Sequence, residues 1–445
     1  MKKTLILALC ALLIGAAVTW AVIKVVIPQW NRSAEDNTYW QVTAKLDQGG
    51  EAFAYLHTEK ITAAFTRLLA NLEKKLIPAA TGPQDKTAQA FYVLNMLLKG
   101  YGLEEIGGLG FSSITLQPGL HRNRVVIFHR PGRNQGLIWN ISGPTPRYLD
   151  ELDLLSDDTA LAFVSDYNIE KLAEWVGKQG KNMPGQGMGQ GLDMMKMGLA
   201  SAGIDGDRLL KSYGGRLGFL LTLDPEKRVT VPLGSSSVSI PEPGFALLIK
   251  VKDSYLFDLL KGKLAGTGKA QIRDEGGIKK ISFPRLPTPF PLEPTIAQKG
   301  DWLIAATLGS LVQGVFNSDS GRLSDSAEFK TMAYKMPRRG NGFGYASPIL
   351  PRLIAQILRE NKTLIPAPPA ALEKIAAIMA RGKGFCHVWE NSATGLVYTI
   401  NHSFDVSTLA EFVEVLIEIA GEKALLPTAT EAAAVAPPVG NEAGK

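Results

Sequence analysis

Five of the chain's ten methionines, Met183, Met188, Met194, Met195 and Met197, fall within one short stretch. Thioethers are soft donors that suit Cu(I), and Met194 and Met197 stand at i, i+3 on one helix face. Met183, Met188, Met194 and Met197 are therefore the Cu(I) candidates. The rival reading starts a core-packed helix with Met194, Met195 and Met197 and leaves Met183 and Met188 in a flexible linker.

A second concentration is basic. His121-Arg-Asn-Arg-Val-Val-Ile-Phe-His-Arg-Pro-Gly-Arg133 is the densest patch in a chain of net charge +6 and pI ≈ 9.0. On a strand, Arg122, Arg124 and Arg130 share a face with Val126 and Phe128. With Arg133 they are candidates for an anionic envelope surface, lipid head groups or cell-wall polymer. The alternative is a solvated hairpin.

Other chemistry lacks its spacing. His57, His121, His129, His387 and His402 form no HExxH pair. His387 and His402 could meet across a hairpin with Glu390 near by, or be ordinary strand histidines. Cys386 and His387 are neighbours in a strand-like stretch, so they point to opposite faces and Cys386 reads as a small buried residue. Phe111-Ser-Ser and Gly234-Ser-Ser-Ser lack the elbow of a nucleophilic serine, and the second reads as a polar hairpin loop. Asp157 and Asp158 read as turn residues and Asp205 as a helix N-cap. Gly340-Asn-Gly-Phe-Gly344 is not spaced as a dinucleotide turn. No catalytic residue and no cofactor is predicted.

The elements that must hold these residues follow one pattern, a short apolar strand running into an amphipathic helix. It starts at Ala52, Ala160 and Phe245, with helical apolar spacing at Ile61–Leu72, Ile169–Val176 and Leu256–Leu260. Weaker versions start at Trp302, Phe343 and Leu396. Glycine pairs at Gly107-Gly108, Gly214-Gly215 and Gly382-Lys-Gly384 open new strand blocks, with turns at Gln117-Pro-Gly-Leu, Arg130-Pro-Gly-Arg and Asp224-Pro-Glu-Lys. Short turns call for antiparallel sheet, and amphipathic helices must cover one face of it. The fold class is α+β, with antiparallel sheets built from repeated strand–helix–helix–meander units in two lobes. A solenoid is disfavoured because the spacing is irregular.

The chain is 445 residues, 45% hydrophobic and 20% charged, an ordinary globular mixture apart from its first residues. Lys2 and Lys3 precede an apolar run that continues to Ile27, long enough to cross a bilayer at ~1.5 Å per residue. Trp20 and Trp30 bracket its outer end as interfacial aromatics do. It reads as an uncleaved signal anchor with the N-terminus in the cytoplasm; the alternative is a signal peptide that is cleaved. The expected organisation is an anchor at 1–27, a juxtamembrane spacer at 28–46 and an N-terminal lobe at 47–180. A Gly/Met-rich linker at 181–197, a C-terminal lobe at 198–425 and a disordered tail at 426–445 follow. Cys10 and Cys386 are the only cysteines, so no internal disulfide is expected.

Leu152-Asp-Leu-Leu-Ser-Asp-Asp-Thr-Ala-Leu-Ala-Phe-Val-Ser-Asp166, Asp207-Arg-Leu-Leu-Lys-Ser-Tyr-Gly-Gly-Arg-Leu-Gly-Phe-Leu-Leu221 and Gly300-Asp-Trp-Leu-Ile-Ala-Ala-Thr307 with Gly321-Arg-Leu-Ser-Asp-Ser-Ala-Glu-Phe329 resemble successive lines of a large family of exported bacterial proteins. It is the domain-of-unknown-function family numbered three-three-five-two. The resemblance spans roughly residues 150–420, and the Met-Gly linker departs from it. It implies an envelope location and an uncharacterised role, and brings no catalytic residues.

The sequence therefore points to a non-enzymatic protein anchored in the inner membrane by residues 4–27, its C-terminal part periplasmic or extracellular, or else secreted. It would bind a protein or an envelope component, and nucleic acid is not an expected partner. A carrier or sensor of an apolar ligand and a hydrolase with an unrecognised site are the rivals. The first requires a cavity between sheet and helices, the second a nucleophile meeting a base in a cleft. Nothing in the sequence fixes the oligomeric state.

Overall fold

A computed structural model of the chain describes residues 37–77, 85–182, 194, 197–233, 236–266, 268–288, 292–317, 321–362, 365 and 367–425. The anchor, residues 28–36 of the spacer, Met183, Met188, Met195 and the tail lie outside the described residues. Among the described residues no helix is long and apolar enough to cross a membrane.

The fold is α+β and antiparallel. Its strands are β1 (Ala52–His57), β2 (Ile106–Gln117), β3 (Leu120–His129), β4 (Arg147–Tyr148), β5 (Thr159–Asp166), β6 (Tyr213–Leu233), β7 (Ser236–Val251) and β8 (Gln271–Glu275). Then come β9 (Ile278–Ser282), β10 (Thr295–Lys299), β11 (Trp302–Ala306), β12 (Arg339–Gly340), β13 (Gly342–Ala346), β14 (Phe385–Ser392) and β15 (Gly395–His402). Among the described residues thirteen strands make one sheet in the order β1-β2-β3-β15-β14-β13-β5-β6-β7-β11-β10-β9-β8, and β4 pairs β12 apart from it.

Every strand–helix junction read from the sequence is present. The helices are α1 (Thr38–Thr43), α2 (Glu59–Leu76), α3 (Lys86–Asn95), α4 (Leu137–Asn140), α5 (Ile169–Asn182) and α6 (Gly206–Ser212). They continue with α7 (Tyr255–Ala265), α8 (Gly309–Phe316), α9 (Ala327–Met332), α10 (Ile349–Glu360), α11 (Pro369–Arg381) and α12 (Val406–Leu425). Asp205 caps α6, its carboxylate accepting from Arg208 N at 3.0 Å. One connection recurs: β1 leads through α2 and α3 to the β2–β3 hairpin, β5 through α5 and α6 to β6–β7, and β13 through α10 and α11 to β14–β15. In each, the first strand pairs the first strand of its hairpin.

Strands from either side of residues 181–197 alternate in the sheet: β15 pairs β3 and β13 pairs β5. The stretches 47–180 and 198–425 thus share one hydrogen-bonded sheet. The expected spacer differs as well. Residues 38–46 fold onto the sheet, where Val42 and Leu46 are buried against Val126 and Phe128. Those two apolar residues at i, i+4 outweigh the polar composition around them. Asp224-Pro-Glu-Lys227 is not a hairpin turn but an irregularity within β6, where the register jumps between Asp224 and Arg228. Pro225 has no N–H to give the ladder, and Asp224 takes up Glu226 N at 2.9 Å instead. The reversal comes later, between Leu233 and Ser236.

Alternation assigns the two faces. Ala162, Val164, Leu220, Ala246, Leu248, Ile304, Phe343, Tyr345, Cys386 and Val388 share the core face, packed with Leu149, Leu155, Leu311, Val315, Phe316, Leu323 and Met332. On the opposite face α7 covers one end of the sheet, Phe257 packing with Ile281 and Leu303.

Candidate functional site

Over β5, β6 and β7 the opposite face is only partly covered, α10 touching β5 and β7. Phe163, Phe219, Phe245 and Leu247 are 40%, 38%, 40% and 40% exposed. The register sets Phe163 beside Phe219, Phe219 beside Leu247 and Leu221 beside Phe245. Phe219 and Phe245 stand 6.1 Å apart between ring centroids. Phe163 reaches over β13 to Phe385 at 6.1 Å and to His387 at 5.6 Å. An apolar ladder therefore crosses five adjacent strands, from β14 to β7.

Glycines in β13 make that crossing. Gly344 lies between Phe163 and His387 in the ladder, and an added Cβ there would stand 2.1 Å from His387 Cε1. Gly342 does the same for Trp389, whose Nε1 would be 1.8 Å from the new atom. Trp389 in turn stacks on Tyr398, with 6.0 Å between centroids. Gly340-Asn-Gly-Phe-Gly344 thus leads into β13, whose Gly342 and Gly344 floor two flat-lying rings while Phe343 and Tyr345 enter the core. Burial pushes His387 down to about 4, so its imidazole is neutral at pH 7.

Two charged clusters lie off this face. Arg216 and Glu151 are both fully buried, with Arg216 Nη2 donating to Glu151 Oε1 at 2.8 Å. Arg147 Nε donates to Asp166 Oδ1 at 2.7 Å, and Asn341 Nδ2 to Asp166 Oδ2 at 3.2 Å. Burial raises Glu151 to about 7 against the pull of Arg216, and raises Asp166 as well. Asn341 Nδ2 also donates to Ser142 O at 3.0 Å and Thr145 O at 3.2 Å. This network ties the 141–151 segment to β5, β6 and β13. With both Glu151 and Arg216 sealed from solvent, its role is architectural.

The second cluster surrounds Lys45, which donates to Thr394 Oγ1 at 2.5 Å. Arg124 Nε stands 3.5 Å from Asp47 Oδ2, and its Nη1 donates to Lys45 O at 3.2 Å. Burial lowers Lys45 and raises Glu390.

The basic candidates separate. Arg122 does not reach the surface: its guanidinium donates to Asn401 Oδ1 at 3.2 Å, Tyr334 O at 3.1 Å and Lys335 O at 2.8 Å. It is spent holding the 332–335 turn, whose Lys335 has φ +54°. Arg124 is half-buried over Lys45 and Asp47. Arg130 pairs with Glu59 at 2.6 Å. Arg133 is exposed and joins Arg67 in a cleft of ≈ 440 Å³, which Glu59, Glu104 and Glu105 also line. Three carboxylates therefore offset the basic charge there.

His387 and His402 do not meet around a common point. His402 stacks on His121, 6.1 Å between centroids, and Glu390 belongs to the core face with Val388. Cys386 is buried in the core on the face opposite His387, as strand alternation requires. Met194 and Met197 are exposed and pack no core. Among the described residues no group of three or more His, Cys, Asp or Glu is placed to hold a metal ion.

Sequence reasoning missed the open ladder. Its signal was present, because β5, β6 and β7 are apolar on both faces. Such strands ordinarily lie between two covering layers, and the incompletely covered face shows only in the fold. No protein-family model matches the chain, and neither a curated protein nor a solved structure is similar to it.

Proposed function

We propose that this chain is a non-enzymatic binding protein of a bacterial envelope, held to a membrane by residues 4–27. In this reading the Phe163–Phe219–Phe245–Leu247 face receives an apolar surface of a partner protein or envelope component. The observation that carries it is this contiguous apolar face, about 40% exposed in the middle of a large sheet, where further burial would stabilise most. A flat ladder suits a partner surface better than a small ligand, which needs enclosure. The recurring strand–helix–helix–hairpin connection supports reading the chain as internally repeated. Kinship with the three-three-five-two family belongs to the same proposal and agrees with an envelope setting.

The test places a photo-crosslinking amino acid at position 219 of the membrane-embedded chain, with position 273 on the far edge strand as control. A discrete adduct at 219 alone, weakened by Phe163→Asp in a chain that keeps its circular dichroism, is the expected result. Equal adducts at both positions, or none at 219, would sink the proposal.

A further inference from the structure

A second apolar surface lies at the sheet edge nearest the start of the described chain. Val42 and Leu46 pin α1 to the sheet, and this attachment leaves Tyr39 and Trp40 41% and 54% exposed. Phe53 of β1 is 43% exposed. Tyr39 stands edge-on to Trp40 at 5.1 Å and to Tyr55 at 5.2 Å between centroids. Phe53 precedes Tyr55 by two residues and so shares its face of the strand. Tyr39, Trp40 and Tyr55 thus cluster where α1 meets the edge strand, with Phe53 on the same face of that strand. β1, Ala-Phe-Ala-Tyr-Leu-His, carries no lysine, arginine or carboxylate, whereas the opposite edge strand β8 carries Arg273, Asp274 and Glu275. Edge strands facing water are ordinarily blunted by such charges.

The length of the preceding chain decides what this edge meets. Nine residues lie between Ile27 and Asn37, ten Cα steps with a reach of at most ~35 Å when fully extended. α1 and β1 are therefore tethered close to whatever holds residues 4–27. Tyrosine and tryptophan with exposed rings are the side chains that settle at the head-group level of a bilayer. Resting on the reading of residues 4–27 as a membrane span, we infer that Tyr39, Trp40 and Phe53 seat in the head-group layer of that same bilayer. The seating would fix the β1 edge against the membrane and turn the rest of the sheet away from it.

The full chain is reconstituted in phosphatidylcholine–phosphatidylglycerol vesicles brominated on the acyl chain near the head group, and Trp40→Phe is compared with the wild type. Resistance to alkaline carbonate reads the span. The share of tryptophan emission quenched by bromine reads the seating. Both proteins should be retained, and the quenchable emission should fall by about a third in Trp40→Phe, with Trp20 and Trp30 supplying the remainder. Retention with equal quenching overturns the seating and leaves the span standing. Release of both proteins overturns the span and the seating with it. Equal quenching together with a two-chain mass in detergent also overturns the seating, and assigns the edge to strand pairing between copies.

Discussion

Gly344 faces His387 across the β13–β14 pair, and the imidazole fills the space that any side chain at position 344 would need. Gly344→Ala should therefore destabilise the fold by about 1–3 kcal/mol through overpacking, although alanine is ordinarily the better strand residue. Removing the ring relieves the clash, so Gly344→Ala combined with His387→Ala should be less damaging than the two losses added. Urea denaturation of the four proteins in a double-mutant cycle reads the coupling. Strict additivity would mean that the ring does not lie over the glycine.

The same histidine contributes to the acid limit of stability. Its folded value near 4 lies below the ordinary 6.5 because burial disfavours the cation. Between these values the unfolded chain binds more protons, so stability is present above pH 6.5 and is lost as pH falls through 4. The full loss is about 3 kcal/mol. Glu151 acts in the opposite sense: its folded value of about 7 lies above the ordinary 4.5, so its contribution is greatest below pH 4.5 and declines as pH rises through 7. His387→Phe should flatten the acid limb of a stability profile measured from pH 4 to 8, and Glu151→Gln the slope between pH 5 and 7. An unchanged acid limb in His387→Phe would show that the ring is hydrated in the folded protein.

What could be read from the sequence was local. Strand-to-helix junctions at Ala52, Ala160, Phe245, Trp302, Phe343 and Leu396 declare themselves by a change of apolar period, and Asp205 declares itself as a cap by type and position. Strand order does not, because β15 finds β3 and β13 finds β5 across long stretches of chain. The fate of Arg122 was hidden for the same reason. Its partners, Asn401 and the carbonyls of Tyr334 and Lys335, lie more than 200 residues away. The role of Gly342 and Gly344 depends on rings supplied by β14, so the glycines alone look like a failed nucleotide motif.

That difference among the arginines is measurable. Arg122→Ala takes the donor from Lys335 O and Asn401 Oδ1, with only Tyr334 O still held by Asn401 Nδ2, and should cost about 3 kcal/mol. Arg122→Lys should recover only part of it, because an ammonium cannot span three acceptors as the guanidinium fork does. Arg133→Ala, on the exposed rim of the cleft, should stay within about 0.5 kcal/mol of the wild type. Equal effects of the two alanine variants in chemical denaturation would contradict the placement of Arg122.

Phe219 and Leu220 are chain neighbours on opposite faces of β6, which makes them a paired probe of the open ladder. Leu220→Ala opens a cavity in the closed core and should cost about 2–5 kcal/mol. Phe219→Ser removes a ring already bathed on one side and should cost about 1 kcal/mol. Binding of an environment-sensitive apolar dye to the folded protein should follow the reverse order. Phe219→Ser should lower it, more so when combined with Phe245→Ser, because the two rings stand against each other on adjacent strands. Dye binding that survives the double variant undiminished would locate the apolar surface elsewhere on the molecule.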